Sequence, residues 1–384
     1  MQDPDLLTIA SDWSFWGNAP PPTVPRRVDL PKALEPGVAS VIQGVRRAGK
    51  STLLAQLLQH YGLARERCLF MNFEDPRLVR RLDHTTLQQL VDSFEARVGP
   101  GATGFLDEIQ VVEGWERWLR AELDRPRQRR FVVTGSNAHL LSGELGTKLT
   151  GRHVVVELFP FQLAEYRDLR PTGTLREYLH DGGFPGPLTS ENGDRLLRSY
   201  FHDIVERDVR ERVGARSSAP LKQLAQIVFE SAGSELSTRR AAAAIGVAVD
   251  TASLYLAALE SAYLVLACPY FAWSERKRAA RNRKYYPVDT GLRRITVTPA
   301  GEDFGKHLEC ATFLALRRKY GAVHYWRGKG EVDFVVLEDG RPRPIQVSAE
   351  GPLERHMRAL DAFYEEHHDA HEGWHVSWDE FEAL

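Results

Sequence analysis

The chain has 384 residues, of which 43% are hydrophobic and 27% are charged, and its formal net charge is −2 at pH 7. A chain of this length is expected to bury several cores and to form two or three domains. The near-neutral charge excludes an overall basic or acidic character, so any nucleic-acid-binding surface has to be local. The three cysteines lie far apart and form no CxxC pair, which excludes a disulfide framework and a zinc site of the usual spacing.

The N-terminal sequence predicts a cytoplasmic protein. Its first residues are polar and acidic, unlike a signal peptide, and no apolar run approaches the length of a membrane span. Residues 1–37 are expected to form an arm whose Pro-rich run, residues 19–22, is extended. Two placements of the arm stay open: against the base of a nucleotide, or packed on the surface of the next domain.

The segment from Gly44 to Thr52 has the sequence GVRRAGKST, between an apolar run (residues 38–42) and an amphipathic run. Strand, glycine-rich loop and helix in this order are typical of a P-loop, in which backbone N–H groups and the helix N-terminus surround a phosphate. We expect Lys50 to reach the β- and γ-phosphates and Ser51 to ligate Mg²⁺. The other residues expected to contact the nucleotide along this loop are Gly44, Arg46, Arg47, Ala48, Gly49 and Thr52.

Further apolar runs predict four more strands of a parallel sheet, at residues 68–75, 104–110, 131–137 and 154–159. A carboxylate pair, Asp107 and Glu108, lies at the end of one of these strands. We expect Asp107 to hold Mg²⁺ through water and Glu108 to polarise the attacking water. Thr134, Ser136 and Asn137 end the next strand, either as a sensor of the γ-phosphate or as a helix cap.

The middle of the chain predicts a change of architecture. A domain at residues 38–161 is followed by a charged helical segment, residues 162–216, and by residues 217–290, which predict a helix-turn-helix with a β-hairpin wing. Ser237 is expected to cap one helix and Asp250 the next, with Gly246 at the turn between them.

The segment between the two expected wing strands is basic and predicts phosphate contacts with double-stranded DNA. Its cationic residues are Arg276, Lys277, Arg278, Arg281, Arg283 and Lys284. The alternative is a protein-packing module, because the helix that would read bases begins with Asp250, Thr251 and Ser253 and carries no Arg, Asn or Gln there.

Residues 291–384 predict a small α/β domain with carboxylates at one sheet edge. Glu309, Glu331 and Asp333 are expected to converge there beside Gln346. Carboxylates with a nearby lysine would make a metal-dependent phosphodiester-cleaving site. The lysine is expected two residues after Gln346, where the chain has Ser348.

The whole chain resembles bacterial and archaeal P-loop ATPases of the AAA+/STAND kind, whose C-terminal domain of unknown function looks like a restriction-endonuclease core. The matching segments, in chain order, are GVRRAGKSTLL, NFEDPRL, FLDEIQ, VVTGSNAHLL, LTGR, GGFP, YYPVDTGL, GKHLE and GEVDFVV. The resemblance implies an α/β P-loop NTPase sheet with a helical lid, then a winged helix-turn-helix domain and a nuclease-like domain at residues 291–384.

The resemblance also implies roles for further residues. Arg152 stands where an arginine finger would complete a neighbour's site, which requires a homo-oligomer; a salt bridge at the sheet edge is the alternative. Pro185 matches a lid element that packs on adenine. Glu309, Asp333 and Gln346 match the PD-(D/E)XK nuclease pattern, but Ser348 replaces its lysine, so cleavage is not expected.

Three functions follow as hypotheses. The first is an ATP-hydrolysing switch or motor that uses ATP and Mg²⁺, with the nucleotide between the α/β domain and the lid. No guanine-reading NKxD-like motif is present, which favours ATP. The alternatives are a DNA-binding module that uses nucleotide as an assembly signal, and a metal-dependent nuclease.

Overall fold

The structure is a computed structural model that describes residues 5–14, 23–79, 82–126, 128–136, 149, 151–298 and 304–383. Predictions for Asn137 and for the Pro-rich run at residues 19–22 lie outside these ranges. The chain divides into two compact units, Met1–Phe159 and Pro160–Leu384.

The first unit is a five-stranded parallel sheet flanked by helices. Its strands are β1 (Ala39–Gln43), β2 (Cys68–Asn72), β3 (Thr103–Asp107), β4 (Arg130–Gly135) and β5 (His153–Glu157). Its helices are α1 (Leu6–Trp13), α2 (Lys50–His60), α3 (His84–Val98) and α4 (Trp115–Asp124), with short 3₁₀ turns at Arg65–Arg67, Pro76–Leu78 and Ile109–Val111. The strand order is β2-β3-β4-β1-β5, and all neighbours are parallel, which confirms the α/β prediction.

Packing on both faces explains why these strands are continuous apolar runs. Every residue of β1 and β3 is buried, as in sheets that are covered on both sides. One core cluster joins the sheet to α1, α3 and α4, and a second joins it to α2. The order also brings the carboxyl ends of β3, β4 and β1 side by side, which is where ligands bind in open α/β sheets.

The N-terminal arm contributes to this core through a helix that the sequence interpretation missed. In α1 the side chains of Leu6, Leu7, Ile9 and Ala10 are buried. The Trp13 indole N–H donates to Asp75 Oδ2 at 2.9 Å. This helix is packed on the domain, as one of the two open placements of the arm predicted.

The second unit begins with helices. They are α5 (Leu163–Leu169), α6 (Leu175–Asp181), α7 (Pro185–Leu188) and α8 (Gly193–Asp203), which continues through a π-helical segment, Ile204–Arg210, and a last turn, Glu211–Val213. Glu206 of this long helix forms ion pairs with Arg210 of the same helix and with Lys222 further along the chain.

Three helices and a small antiparallel sheet follow. The helices are α9 (Ala219–Glu230), α10 (Thr238–Ile245) and α11 (Val249–Ser261). The strands are β6 (Glu235–Leu236), β7 (Val265–Cys268) and β8 (Arg283–Pro287), in the order β6-β8-β7. Ser237 accepts the Arg240 N–H as the cap of α10, and Gly246 makes the turn at φ 70°, as predicted. The assignment of Asp250 as a cap is wrong, because α11 begins at Val249 after Ala248 and Asp250 lies in its first turn.

The basic segment between β7 and β8 differs from a simple wing tip. It forms a short helix, α12 (Glu275–Ala279), before β8 begins. The predicted DNA contact by Lys284 is wrong, because this side chain lies on β8 and is 0% exposed. Arg276, Lys277, Arg281 and Arg283 are exposed, and Arg278 is partly exposed.

The last part of the second unit is a four-stranded sheet with helices. After α13 (Thr290–Thr296) come α14 (Phe304–Tyr320), β9 (His324–Arg327), β10 (Glu331–Glu338), β11 (Arg341–Val347), α15 (Glu354–Glu366), β12 (Trp374–Val376) and α16 (Trp378–Phe381). The strand order is β12-β11-β10-β9. Within the described ranges no single helix is long and apolar enough to cross a membrane; the bent pair α10 and α11 meets that test only when taken together.

A buried carboxylate connects two of the sequence motifs, GGFP and YYPVDTGL. Asp289 Oδ1 accepts the Leu292 N–H at 2.7 Å and so caps α13, and its Oδ2 accepts the Gly183 N–H at 2.6 Å. There is no room for larger residues here, since a Cβ at Gly183 would lie 2.2 Å from the Phe161 carbonyl oxygen. Burial raises the pKa of Asp289 to about 6, although backbone donors, among them those of Gly183 and Leu292, act to lower it.

We expect Asp289→Ala to lower the free energy of unfolding by about 1–3 kcal/mol at pH 7, because two buried backbone N–H groups lose their acceptor. Urea unfolding followed by tryptophan fluorescence measures the loss. The matched control is Asp250→Ala, which removes an exposed carboxylate that caps nothing. Equal stability losses in the two variants would contradict the role of Asp289 in connecting the GGFP segment to α13.

The stability difference between the wild type and Asp289→Ala depends on pH. Because the folded pKa of Asp289 is about 6, above its ordinary value of 3.8, the folded chain binds this proton more readily than the unfolded chain. The stabilisation from this proton is complete below pH 4 and is lost as the pH rises through 6. The stability difference between wild type and Asp289→Ala should therefore grow as the pH is lowered from 7 to 5.

Candidate functional site

The loop between β1 and α2 has the backbone of an anion-binding turn. Gly49 (φ 97°) and Arg47 (φ 71°) have left-handed conformations, and α2 begins directly at Lys50. Gly44 approaches the end of β5 so closely that a Cβ would lie 2.0 Å from the Leu158 carbonyl oxygen. The loop therefore needs glycine at position 44, and its N–H groups lead into a helix N-terminus.

Lys50 lies inside this loop. Its side chain is 4% exposed, and Nζ donates to the carbonyl oxygens of Gly44 at 3.2 Å and Val45 at 3.4 Å. Nζ also lies 3.6 Å from Glu108 Oε1. The ammonium is thus held by the loop itself and by the carboxylate at the end of β3.

Asp107 closes the other side of the site. The Ser51 hydroxyl donates to its Oδ2 at 2.7 Å, and the Thr134 hydroxyl donates to its Oδ1 at 2.5 Å. The Asn72 amide, at the end of β2, is 3.4 Å from Oδ2. Burial raises the pKa of Asp107, while the Ser51 and Thr134 hydrogen bonds oppose that rise. A hydroxyl and a carboxylate so close together form a donor set that suits Mg²⁺, and Ser51 and Asp107 are the residues that would hold it.

Glu108 has an unusual backbone for a residue with a side chain. It lies outside β3 at φ 53°, in the left-handed region that costs energy for residues other than glycine. Its N–H donates to Thr134 Oγ1 at 3.0 Å, and its Oε2 accepts the Gln110 amide at 2.6 Å. Burial acts to raise the pKa of Glu108, but Lys50 and Gln110 outweigh it, so the pKa lies below its usual value. The carboxylate is therefore charged and fixed in place.

Two of the polar residues predicted at the carboxyl end of β4 lie within the described ranges, Thr134 inside the strand and Ser136 just after it. Thr134 contacts Asp107 and Glu108, whereas Ser136 is buried just beyond the strand end. The catalytic role considered for Ser136, as a sensor of the γ-phosphate, stays a prediction, as does its alternative role as a helix cap. Thr134 was named from the sequence only as a member of the group, yet it makes the direct contacts.

Other loop residues interact with neighbouring segments. Arg46 forms an ion pair with Glu74, which follows β2, at 2.6 Å. Ala48 is buried, and Thr52 lies in the first turn of α2. These positions agree with contacts made by the backbone of the loop, and such contacts stay predicted.

Arg26 was missed as a site residue by sequence reasoning. One guanidinium nitrogen donates to the Ala48 carbonyl and the other to the Phe159 carbonyl, both at 2.6 Å. It thereby ties the P-loop backbone to the chain beyond β5. Its only signal in the sequence was the pair Arg26–Arg27 before the first strand, which no spacing connected to the loop.

Arg152 does not lie near the P-loop of its own sheet. It precedes β5, whose first residue His153 pairs with Ala39, whereas the P-loop follows Gln43 at the other end of β1. Its guanidinium forms an ion pair with Asp124. This matches the salt bridge that the sequence left as the alternative, and a finger role would require a second copy of the chain.

Pro185 lies in the second unit, where it is the first residue of α7. Its contact with adenine stays a prediction. The cations of the basic segment likewise keep only a predicted role, with Lys284 excluded by its burial.

The C-terminal carboxylates lie beside Lys284. Glu309 is on α14, Asp333 on β10 and Gln346 on β11. Burial and the Glu309 charge raise the pKa of Asp333 to about 7. Burial acts to lower the pKa of Lys284, but Glu309, Asp333 and Glu331 raise it above its usual value. Ser348, at the expected lysine position, hydrogen-bonds to the Gly351 carbonyl and to His375.

Two family models match consecutive parts of the chain. A family model described as "AAA domain" matches residues 38–167, and a second, "Domain of unknown function (DUF8612)", matches residues 172–301. Neither match confirms a winged helix or a nuclease-like domain. A solved structure of Cdc6p from Pyrobaculum aerophilum covers 67% of this chain and 86% of its own, at 14% identity and a TM-score of 0.28, which is too weak a likeness to bear on function.

Two relatives extend over most of the chain. An uncharacterized protein of Methanocaldococcus jannaschii is 27% identical over 82% of this chain and 75% of its own length. An uncharacterized protein of Haemophilus influenzae is 31% identical over 82% of this chain and 84% of its own length. The chain therefore belongs to the family of this Haemophilus protein, and it carries an AAA domain of the P-loop type followed by a domain of unknown function.

Proposed function

We propose that this protein is a Mg²⁺-dependent ATPase that acts as a conformational switch or motor. The observation that carries the proposal is the 2.7 Å contact between Ser51 and Asp107, with Lys50 and Glu108 beside it. These four side chains come from the start of α2 and the end of β3. Each has the type and position that ATP hydrolysis needs.

The residues divide the work as follows. Lys50 exchanges the Gly44 and Val45 carbonyls for phosphate oxygens and stabilises their charge. Ser51 and Asp107 would hold the metal, which would supply positive charge to neutralise the phosphates. Glu108, whose pKa is lowered by Lys50 against the effect of burial, accepts the proton of a water or orients it. Thr134 fixes both carboxylate residues, since it bonds Asp107 and the Glu108 backbone.

We propose that ATP hydrolysis changes the conformation of the second unit. The two hydrogen bonds of Asp289 connect the GGFP segment to the N-terminus of α13. A movement of α5–α8 is then transmitted to α13 through this carboxylate. We propose that α9–α11 with β6–β8 are a winged helix and that residues 304–383 have a nuclease-like fold. Arg152 is proposed to act only in a homo-oligomer, after release from Asp124.

Glu108→Gln should reduce the rate of phosphate release from Mg-ATP by about 10²–10⁴-fold while ATP still binds, because the amide cannot accept a proton. Lys50→Ala should weaken ATP binding itself. The control is Glu113→Gln, an exposed carboxylate in the same connection, which should leave turnover unchanged. Unaltered turnover in Glu108→Gln would refute the assignment of the base.

Arg26→Ala should raise the Kd for ATP by about 10-fold, because the P-loop loses a charged hydrogen-bond donor that holds the Ala48 carbonyl. Titration with a fluorescent ATP analogue measures it. Arg65→Ala, which removes an exposed cation from the same unit, should bind as the wild type does. If both variants bind ATP equally well, Arg26 has no part in ordering the loop.

A second candidate function is DNA binding through the basic segment. Its support is the exposure of Arg276 and Lys277 on α12, with Arg281 and Arg283 beyond it. In this proposal double-stranded DNA contacts these four cations through its phosphates. Nucleotide would then act as the assembly signal.

The double variant Arg276→Ala/Lys277→Ala should bind duplex DNA more weakly and reduce the slope of log K against log salt by about 2, one for each lost phosphate contact. Fluorescence anisotropy at several salt concentrations gives the slope. Lys329→Ala/Arg358→Ala removes two exposed cations elsewhere in the second unit and is the control. Identical slopes for the two double variants would rule out the basic segment as the contact.

A further inference from the structure

A lysine lies where the nuclease resemblance implies a metal. Lys284, on β8, is fully buried, and its Nζ is 2.6 Å from Glu331 Oε1 on β10. Nζ also lies 5.3 Å from the centre of the Tyr325 ring, within range of a cation–π interaction. The charges of Glu309 and Asp333 act on the same ammonium. One cation thus serves carboxylates from two different elements, α14 and β10.

One oxygen of each expected metal ligand is already engaged by a donor of the protein. Glu309 Oε1 accepts the Tyr286 hydroxyl at 2.7 Å, and Asp333 Oδ2 accepts the Val347 N–H at 2.8 Å. The Gln346 amide spans the same strands: its Nε2 donates to the Glu331 carbonyl at 2.8 Å, and its Oε1 faces the Asp333 N–H at 3.4 Å. Each of the three expected ligands therefore has an oxygen bound by a donor of the protein.

This arrangement does not fit the divalent cation that the PD-(D/E)XK pattern implies. Among the residues that the structure describes, no group of three or more His, Cys, Asp or Glu side chains is placed to hold a metal ion. The lysine of the nuclease pattern is also missing, because Ser348 stands at its position. The Ser348 hydroxyl hydrogen-bonds to the Gly351 carbonyl and to His375.

We infer that Lys284 is the resident cation of this cluster: its ammonium stands in place of a divalent metal and holds Glu309, Glu331 and Asp333 together without one. A buried ammonium is stable only when it is paired, and a group of carboxylates is stable only when its charge is compensated. Here the carboxylates pair the ammonium, and the ammonium compensates the charge of the carboxylates. The nuclease-like fold of residues 304–383 is then a structural part that does not cleave phosphodiesters.

The inference has a direct consequence. Removing the ammonium leaves the charges of Glu309, Glu331 and Asp333 without a compensating cation. We expect a divalent metal, which prefers oxygen ligands, to take the place of the ammonium and to draw these side chains together around it. Lys284→Met keeps the length of the apolar stem and removes only the charge. This variant should therefore gain a metal site that the parent chain lacks.

The test uses Mn²⁺ and full-length chain without nucleotide. Asp107→Asn is present in every sample, so that the proposed metal site at Ser51 and Asp107 does not contribute. Free Mn²⁺ is measured by electron paramagnetic resonance at about 1 mM metal, in the range of weak oxygen-ligand sites. We expect no bound Mn²⁺ in the parent, one Mn²⁺ per chain in Lys284→Met, and its loss when Asp333→Asn is added.

Three results would overturn the inference. The first is a parent chain that binds Mn²⁺ and loses it with Asp333→Asn. The second is a folded Lys284→Met chain that binds none. The third is Mn²⁺-dependent nicking of plasmid DNA by the parent that Asp333→Asn abolishes. If Lys284→Met does not fold, the parent and its Asp333→Asn variant still decide the question, and none of these results depends on the ATPase proposal.

Discussion

The first unit depends on the hydrogen bonds that the Asp107 carboxylate accepts from Ser51 and Thr134. The carboxylate is held by one hydroxyl from the start of α2 and another from β4, at 2.7 and 2.5 Å, so it fixes the P-loop against two strand ends. This contact is possible only because β4 lies between β3 and β1 in the sheet. A buried carboxylate without such donors would be costly, and the same donors leave it positioned for a metal. Stability and proposed catalysis thus use the same atoms.

Two buried charges play comparable roles in the second unit. Asp289 joins the GGFP segment to α13, and Lys284 joins β8 to β10. Each has a partner that is remote in the sequence, Gly183 for Asp289 and Glu331 for Lys284, and either charge left alone would be strongly destabilising. Such contacts specify how the helices and strands of this unit assemble, which a purely apolar core would specify less sharply. They also give the proposed switch defined points through which a movement is passed on.

The sequence predicted the parallel sheet and the strand–loop–helix because continuous apolar runs and a glycine-rich spacing are local signals. It did not predict α1, whose apolar face is evident only once the sheet is there to cover it. Lys284 was grouped with exposed cations because it adjoins them, whereas its burial depends on Glu331, far along the chain. Arg26 was overlooked for the same reason, since its acceptors at Ala48 and Phe159 are contacts of the folded chain. Asp250 failed as a cap because α11 starts at Val249, two residues before the start that this cap would require.

Isothermal titration of the intact wild-type chain with ATP, in the presence of Mg²⁺ and in the presence of a chelator, tests the central claim most directly. We expect saturable binding of one ATP per chain that Mg²⁺ strengthens, because Ser51 and Asp107 are the proposed ligands of a metal beside the phosphates. No binding in the presence of Mg²⁺, or binding that the chelator leaves unchanged, would contradict it.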